Sequence, residues 1–196
     1  IGDLIINYTY DNRTRKTEEK KIMDDFLFVL EWTYDSLDRI LSKTNPDSNT
    51  INYIYDNQGL VGSIVEIVNV SYNEANNPLN ISYDNGLVTN FSYDSKNLRL
   101  TKIKTGTKQE LNYTYDHVGN VMEINDSANA RLTSMEYDDL DRLTNIEIVD
   151  DENRQNNSLN FTYNEIGNLL EVLYNEINYT YVYGSPVHSP KEILGG

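Results

Sequence analysis

The sequence predicts an all-β protein: a curved, twisted antiparallel sheet built from β-hairpin repeats. Three observations carry this. A turn phrase centred on tyrosine and aspartate recurs about every 21 residues along a chain of 196. The residues before each turn alternate apolar and polar with a period of two, as side chains do on a strand. Sixteen tyrosines stand beside one tryptophan and only four prolines, a composition that suits strands and not a disordered chain.

The repeat is anchored on the tyrosine that precedes Asp or Asn. The anchors are Tyr10, Tyr34, Tyr55, Tyr72, Tyr93, Tyr115, Tyr137 and Tyr163, with Tyr181 as a ninth by alignment of its upstream strand. A unit of this length is too short for a helix pair and suits two strands with two turns. Four and two residues before the anchors stand Ile6 and Tyr8, Leu30 and Trp32, Ile51 and Tyr53, Leu111 and Tyr113, Leu159 and Phe161. Three and one before stand Asn7 and Thr9, Glu31 and Thr33, Asn112 and Thr114, Asn160 and Thr162. Rings and aliphatic groups therefore share one face of the strand, and amides and hydroxyls the other. Ile54 breaks the polar face once.

A turn follows each anchor. In "YDHVGN" Asp116 takes the first position and Gly119 the fourth, as a type I turn prefers. Asp11, Asp35, Asp56, Asp94 and Asp138 match Asp116, while Asn73 and Asn164 fill the same place in two units. The fourth place holds Gly59, Gly119 or Gly167, and elsewhere Asp38, Asp141, Asn76 or Asn97. These are the residues that enter left-handed backbone geometry at least cost. A second turn lies about ten residues on. "DNG" from Asp84 reads as a two-residue hairpin loop, and "NPDSN" from Asn45, "KTGTK" from Lys104, "NDSANA" from Asn125 and "DDENRQNN" from Asp150 are looser versions. The unit from Tyr55 has no clear second turn. The stretch from Arg15 to Trp32 could hold a short helix, but its "MDD" break and the run from Phe26 to Leu30 favour two strands.

Composition narrows function. The formal charge of −15 argues against nucleic-acid binding by phosphate neutralisation and disfavours anionic membranes. No apolar run approaches the 18 residues of a membrane helix, so membrane insertion is not expected. With no cysteine there is neither a disulfide framework nor a thiolate metal site. The chain starts at Ile1 and is read as a segment of a longer protein, so a missing targeting signal carries no information.

No catalytic, metal or cofactor site is expected. His117 lies in a turn at a position filled elsewhere by Ser, Asn, Asp or Glu. His188 lies between Pro186 and Pro190, and a lone histidine without a partner base is not an active site. Nucleophile-elbow, metalloprotease and phosphate-loop patterns do not occur. Catalysis would have to draw on acidic pairs such as Asp138 with Asp139, yet the repeat already accounts for them. The turn aspartates could instead line a calcium-binding rim, but capping of solvated turns explains them, and the ordered calcium-loop motif does not occur. Asn–x–Ser/Thr triplets are frequent. They arise when Asn and Thr share a polar face; Asn125 and Asn156, in predicted loops, are the best glycan acceptors among them.

"YDDLDRLTNI" at Tyr137, "YDSLDRIL" at Tyr34, "YDHVGNVMEI" at Tyr115 and "YNEIGNLLEV" at Tyr163 closely resemble the tyrosine–aspartate (YD) repeats of the Rhs family. The likeness runs from about Ile6 to Tyr183, and "YVYGSPVHSPKEI" resembles the segment that often closes such an array. The resemblance implies a β-ribbon wound as a spiral shell, which in bacterial Rhs and insecticidal toxin-complex proteins encloses a toxic C-terminal domain and in teneurins supports cell-surface adhesion. The chain is too short to close a shell, and it lacks the array-ending core with its aspartate protease. The expectation is thus residues 1–183 as an array of about nine units and 184–196 as a terminal loop segment. It would be an open shell segment of a secreted or cell-surface protein, its partners the neighbouring repeats and a toxin cargo, surface protein or glycan. The alternative is a carbohydrate-binding array of aromatic-rich hairpins, although such arrays lean on Trp and Gly.

Overall fold

A computed structural model describes residues 4–24, 26–150 and 155–195. It divides into two units, Ile1–Val88 and Thr89–Gly196. The first carries β1 (Leu4–Tyr10), β2 (Lys16–Met23), β3 (Phe26–Tyr34), β4 (Ile40–Thr44), β5 (Thr50–Tyr55), β6 (Val61–Ile64), β7 (Val68–Tyr72) and β8 (Pro78–Tyr83). The second carries β9 (Val88–Tyr93, starting at the boundary), β10 (Leu100–Thr105), β11 (Gln109–Tyr115), β12 (Val121–Asp126), β13 (Arg131–Tyr137), β14 (Leu143–Asp150), β15 (Gln155–Tyr163), β16 (Leu169–Tyr174), β17 (Ile177–Tyr183) and β18 (Pro190–Gly195). Within each unit every strand pairs antiparallel with the next. The hairpin-repeat architecture is the one the alternation predicts, and the stretch from Arg15 to Trp32 forms two strands.

Each anchor marks a break in register. Tyr10 lies opposite Lys16, Tyr34 opposite Ile40, Tyr115 opposite Val121 and Tyr163 opposite Leu169, each with a bulge at the tyrosine. The turn closes as a type I turn followed by a left-handed residue: Gly59 N–H donates to Asp56 O, and Asp56 N–H to Leu60 O. Positive φ falls on Thr14, Asp38, Gly59, Asn76, Gly119, Asp141 and Gly167, always the fourth turn position. In the unit of Tyr93 it falls on Leu98 and not on Asn97, because this loop is one residue longer and Tyr93 pairs with Leu100.

Four further expectations are corrected. The "DNG" loop has three residues, not two: Gly86 N–H donates to Tyr83 O and Tyr83 N–H to Leu87 O. Of its residues only Gly86 has positive φ, whereas a two-residue type I′ loop needs two such residues. The unit of Tyr55 does have a second turn, at Val65–Ile67, with Glu66 at φ 59°. Residues 184–196 are not all loop, since β18 pairs with β17. The bulge there falls between Val182 and Tyr183, so the ninth anchor position is held by Tyr183 and not Tyr181. The loop expected from Asp150 lies partly outside the described residues.

Burial follows the alternation. Along β5, Ile51, Tyr53 and Tyr55 are half-buried while Asn52 and Ile54 are exposed. Among the described residues no hydrophobic side chain is buried; only Glu19, Thr89 and Asn168 come close to full burial, with 8, 7 and 7% of their surface exposed. The half-buried rings therefore contribute less than the roughly 2–3 kcal/mol of a fully buried one, and hydrogen bonds between units carry more of the stability. Glu19 is the exception on the ring face, where it lies opposite Tyr8 and Leu30. Lys16 and Lys21 neutralise it at 2.7 and 3.0 Å, and Lys16 also lies 4.3 Å from the Trp32 ring centroid.

The turn geometry gives a test. Gly119 has φ 118°, and a Cβ there would come within 2.8 Å of Arg99 Nη2, whereas at Gly167, φ 87°, it would meet nothing within 4 Å. Both Gly→Ala changes should lower the unfolding free energy measured in urea by about 1–3 kcal/mol of backbone strain, with Gly119→Ala the larger loss. Equal or absent shifts would contradict this account of the turns.

Candidate functional site: the tyrosine–aspartate turn rim

The anchors link successive units. Tyr34 Oη donates to Lys16 O (2.7 Å), Tyr55 to Ile40 O (2.9 Å), Tyr72 to Val61 O (3.0 Å), Tyr115 to Leu100 O (2.7 Å), Tyr137 to Val121 O (2.9 Å) and Tyr163 to Leu143 O (2.9 Å). In every case the acceptor is the residue paired with the preceding anchor. The link needs a ring long enough to cross a strand spacing and a hydroxyl at its end, which only tyrosine supplies. Burial pushes the phenols of Tyr115 and Tyr137 up, which keeps their protons in place for donation.

The turn carboxylates cap backbone. Asp138 Oδ1 accepts from Leu140 N–H (2.9 Å) and Arg142 N–H (3.0 Å). Asp11, Asp35 and Asp56 make the same pair of bonds, and Asp116 makes three, to Val118, Gly119 and Asn120. Asn73 and Asn164 do likewise through Oδ1. An acceptor is what the turn requires, and a negative charge is optional.

Arginine completes the rim, and sequence reasoning did not single it out. Four residues after the aspartate, Arg15, Arg39 and Arg142 each hold the remaining carboxylate oxygen through Nε (2.7 Å) and Nη2. The guanidinium then lies over the next anchor ring: Arg15 on Tyr34 at 4.7 Å, Arg39 on Tyr55 at 4.2 Å, Arg142 on Tyr163 at 4.9 Å. It also reaches the following turn, Arg15 Nη1 donating to Asp35 O (2.9 Å) and Arg142 Nη1 to Asn164 O (3.1 Å). Arg99, displaced by its longer loop, keeps only the forward contacts, to Asp116 O (2.8 Å) and the Tyr115 ring. The signal was legible in "YDSLDR" and "YDDLDR", where Arg follows the aspartate at a fixed distance.

Asn120 and Asn168 stand where arginine does elsewhere. Asn120 Nδ2 bridges Asp116 Oδ2 (3.0 Å) and Asp141 Oδ1 (2.9 Å) beside a groove of about 640 Å³ that Asp138 and Asp139 also line. Asn168 Nδ2 donates to Val187 O (2.7 Å), and its Oδ1 lies 2.7 Å from His188 Nδ1. His188 thus has an amide for a partner and no acid. His117 is exposed, and its carbonyl accepts from Arg99. Among the described residues no group of three or more His, Cys, Asp or Glu could hold a metal ion. Asn125 and Asn156 lie within β12 and β15, not in the loops expected for them.

These bonds fix the electrostatics. The Arg15 side chain holds the Asp11 carboxyl below its ordinary value, and Arg142 does so for Asp138. The backbone N–H groups of Asn97 and Lys96 lower Asp94. At Asp35 and Asp116 partial burial pushes the other way, but hydrogen bonds from the turn win. On the polar face Lys102 and Lys104 bring Glu110 down to about 2.

Lowered native values mean that the unfolded chain takes up protons first on acidification. Stability should be flat from neutrality to about pH 5 and fall below about pH 4, as Asp11, Asp94 and Asp138 protonate. A urea midpoint that held constant to pH 2.5 would contradict this. Removing one hydroxyl, Tyr137→Phe, should lower stability by about 0.5–1.5 kcal/mol with the ring retained. Tyr10→Phe should have no measurable effect, because Tyr10 is 56% exposed and makes no such bond among the described residues. Equal losses at both positions would disprove the link.

Comparison with known proteins agrees with this geometry. The Toxin subunit YenC1 of Yersinia entomophaga is 35% identical over 74 residues, covering 33% of this chain and 8% of that protein. The crystal structure of TcdB2-TccC3 without its hypervariable C-terminal region superposes with a TM-score of 0.78 at 18% identity, over 95% of this chain and 12% of that one. The Tc holotoxin pore of Photorhabdus luminescens gives 0.79 at 17% identity, over 99% and 12%. The chain therefore spans about a tenth of the length of these relatives, and the structures establish its fold. The Teneurin YD-shell family model matches residues 76–185, more than half of the chain: the protein belongs to the YD-repeat (Rhs) family as a teneurin-type YD-shell module.

Proposed function

We propose that this module is a wall segment of a shell that encloses or presents a toxin domain carried C-terminal to it in a longer exported polypeptide. The observation that carries the reading is the link from unit to unit. Six anchor hydroxyls and four guanidiniums are spent on the adjacent unit, so the repeat positions act as construction parts and not as reacting groups. Among the described residues the first anchor, Tyr10, makes no such link, and β1 exposes Leu4, Ile5, Ile6 and Tyr8. A further YD unit laid against β1 would cover both, which makes neighbouring repeats of the parent chain the first partner. Toxin cargo is the second, in keeping with the toxin-complex relatives. Extracellular action belongs to the same reading.

The arrangement favours the shell over a sugar-binding array. Six anchor rings have their hydroxyls bonded within the sheet, and four carry a guanidinium on one face, so they are not offered as stacking platforms. Intrinsic catalysis has equally little to draw on, since the turn carboxylates are taken up in capping bonds.

The test is limited proteolysis of the intact parent polypeptide. The segment that follows residue 196 should resist digestion, and it should become sensitive when Arg39→Ala and Arg142→Ala loosen the wall. Equal digestion in the parent and the double variant, at a rate matching the isolated segment, would refute enclosure.

A further inference from the structure

β2 and β3 are the odd hairpin of the first unit. β4 pairs with β3 only from Glu31 onward, where Glu31 lies opposite Thr44. Among the described residues no strand pairs with Phe26–Leu30 on that side. This stretch, FLFVL, holds no charge, no proline and no glycine. It is apolar on both faces: Phe26, Phe28 and Leu30 follow the ring face, and Leu27 and Val29 take the side that is amide and hydroxyl elsewhere. Phe26 is 67% exposed, Leu27 57% and Phe28 42%. Their register partners on β2 include Met23 and Ile22, so the apolar character extends across the hairpin tip.

We infer that the Phe26–Leu30 edge is a self-association site that pairs antiparallel with the same edge of a second copy of this chain. The backbone decides the class of partner. An open edge presents N–H and C=O groups that need hydrogen bonds; a lipid surface cannot supply them, and a strand can. Side chains decide which strand. A strand added here meets apolar groups on both faces, so an amphipathic strand would bury its polar side. The same edge turned about a two-fold axis at Phe28 sets Phe26 against Leu30, Leu27 against Val29 and Phe28 against its copy. Every cross-strand pair is then apolar, and the contact closes on itself as a two-fold interface does. The β1–β2–β3 ladders would continue without interruption into the partner.

The contact is short, so the dimer belongs to the weak class that buries less than about 1,200 Å². Each copy carries a formal charge of −15, so added salt should tighten the pairing by screening repulsion.

Sedimentation of the 196-residue chain tests this. The weight-average mass should rise from that of one copy, 22.6 kDa, towards two as concentration increases, and more steeply at high salt. Phe28→Lys should weaken the dimer at least about tenfold by placing two like charges on the axis, whereas Leu140→Lys, at a still more exposed turn position, should leave it unchanged. Because the chain has no cysteine, Phe28→Cys offers a single thiol that should cross-link copies under mild oxidation, while Leu140→Cys should not. Strand content by circular dichroism guards against misfolding of the lysine variant, and the cysteine variant reports independently of it. One-copy mass at every concentration and salt, or a dimer indifferent to Phe28→Lys and not cross-linked by Phe28→Cys, would overturn the inference. Both results are independent of whether the module encloses a cargo.

Discussion

A bond of under 3.1 Å from a tyrosine hydroxyl to a carbonyl one unit upstream is the interaction on which the rest of this molecule depends. A single-layer meander has no second layer to dry its rings, and no described hydrophobic side chain is fully buried here. Area burial alone is then a weak source of stability. What remains is directional: ladder bonds between strands, and side-chain bonds that tie each hairpin to its predecessor. The phenol suits this task because its apolar ring lies on the ring face while its polar tip reaches across to the backbone.

The aspartate and arginine build on that link. The carboxylate fixes the turn, the turn delivers arginine four residues later, and the guanidinium covers the next anchor ring and bonds the next turn. Where Arg15, Arg39 and Arg142 stand, the arrangement is a relay in which one unit completes the one after it. Stability in such arrays is close to a sum of unit and nearest-neighbour terms. It follows that a unit with an imperfect rim, such as the longer loop at Asp94, weakens its own junction and leaves distant ones intact.

Leu60 and Asn77 also stand in the arginine's place, and three further departures from the rim are informative. At Asp94 the extra residue moves the left-handed position to Leu98 and separates Arg99 from the carboxylate. At Asn120 and Asn168 an amide replaces the guanidinium. The first amide bridges two turn carboxylates; the second receives the closing loop through Val187 and His188. The same site in the repeat thus serves either to pass a contact forward or to hold an incoming segment, according to the reach and charge of one side chain.

By itself, the sequence determined the strands, the ring face and the turn chemistry. All three are local: alternation of period two needs only neighbouring residues, and the left-handed turn position admits few residue types. It also carried the family likeness, because the repeat phrase is written out nearly unchanged. Tertiary structure alone decided the acceptors of the tyrosine hydroxyls, the forward reach of the arginines, the burial of Glu19 between two lysines, and the open edge at Phe26–Leu30. Each of these depends on which strand lies beside which, and at what stagger. One-residue differences, as in the "DNG" loop, the turn after Tyr93 and the shift from Tyr181 to Tyr183, alter that stagger without altering the pattern that a linear reading can see.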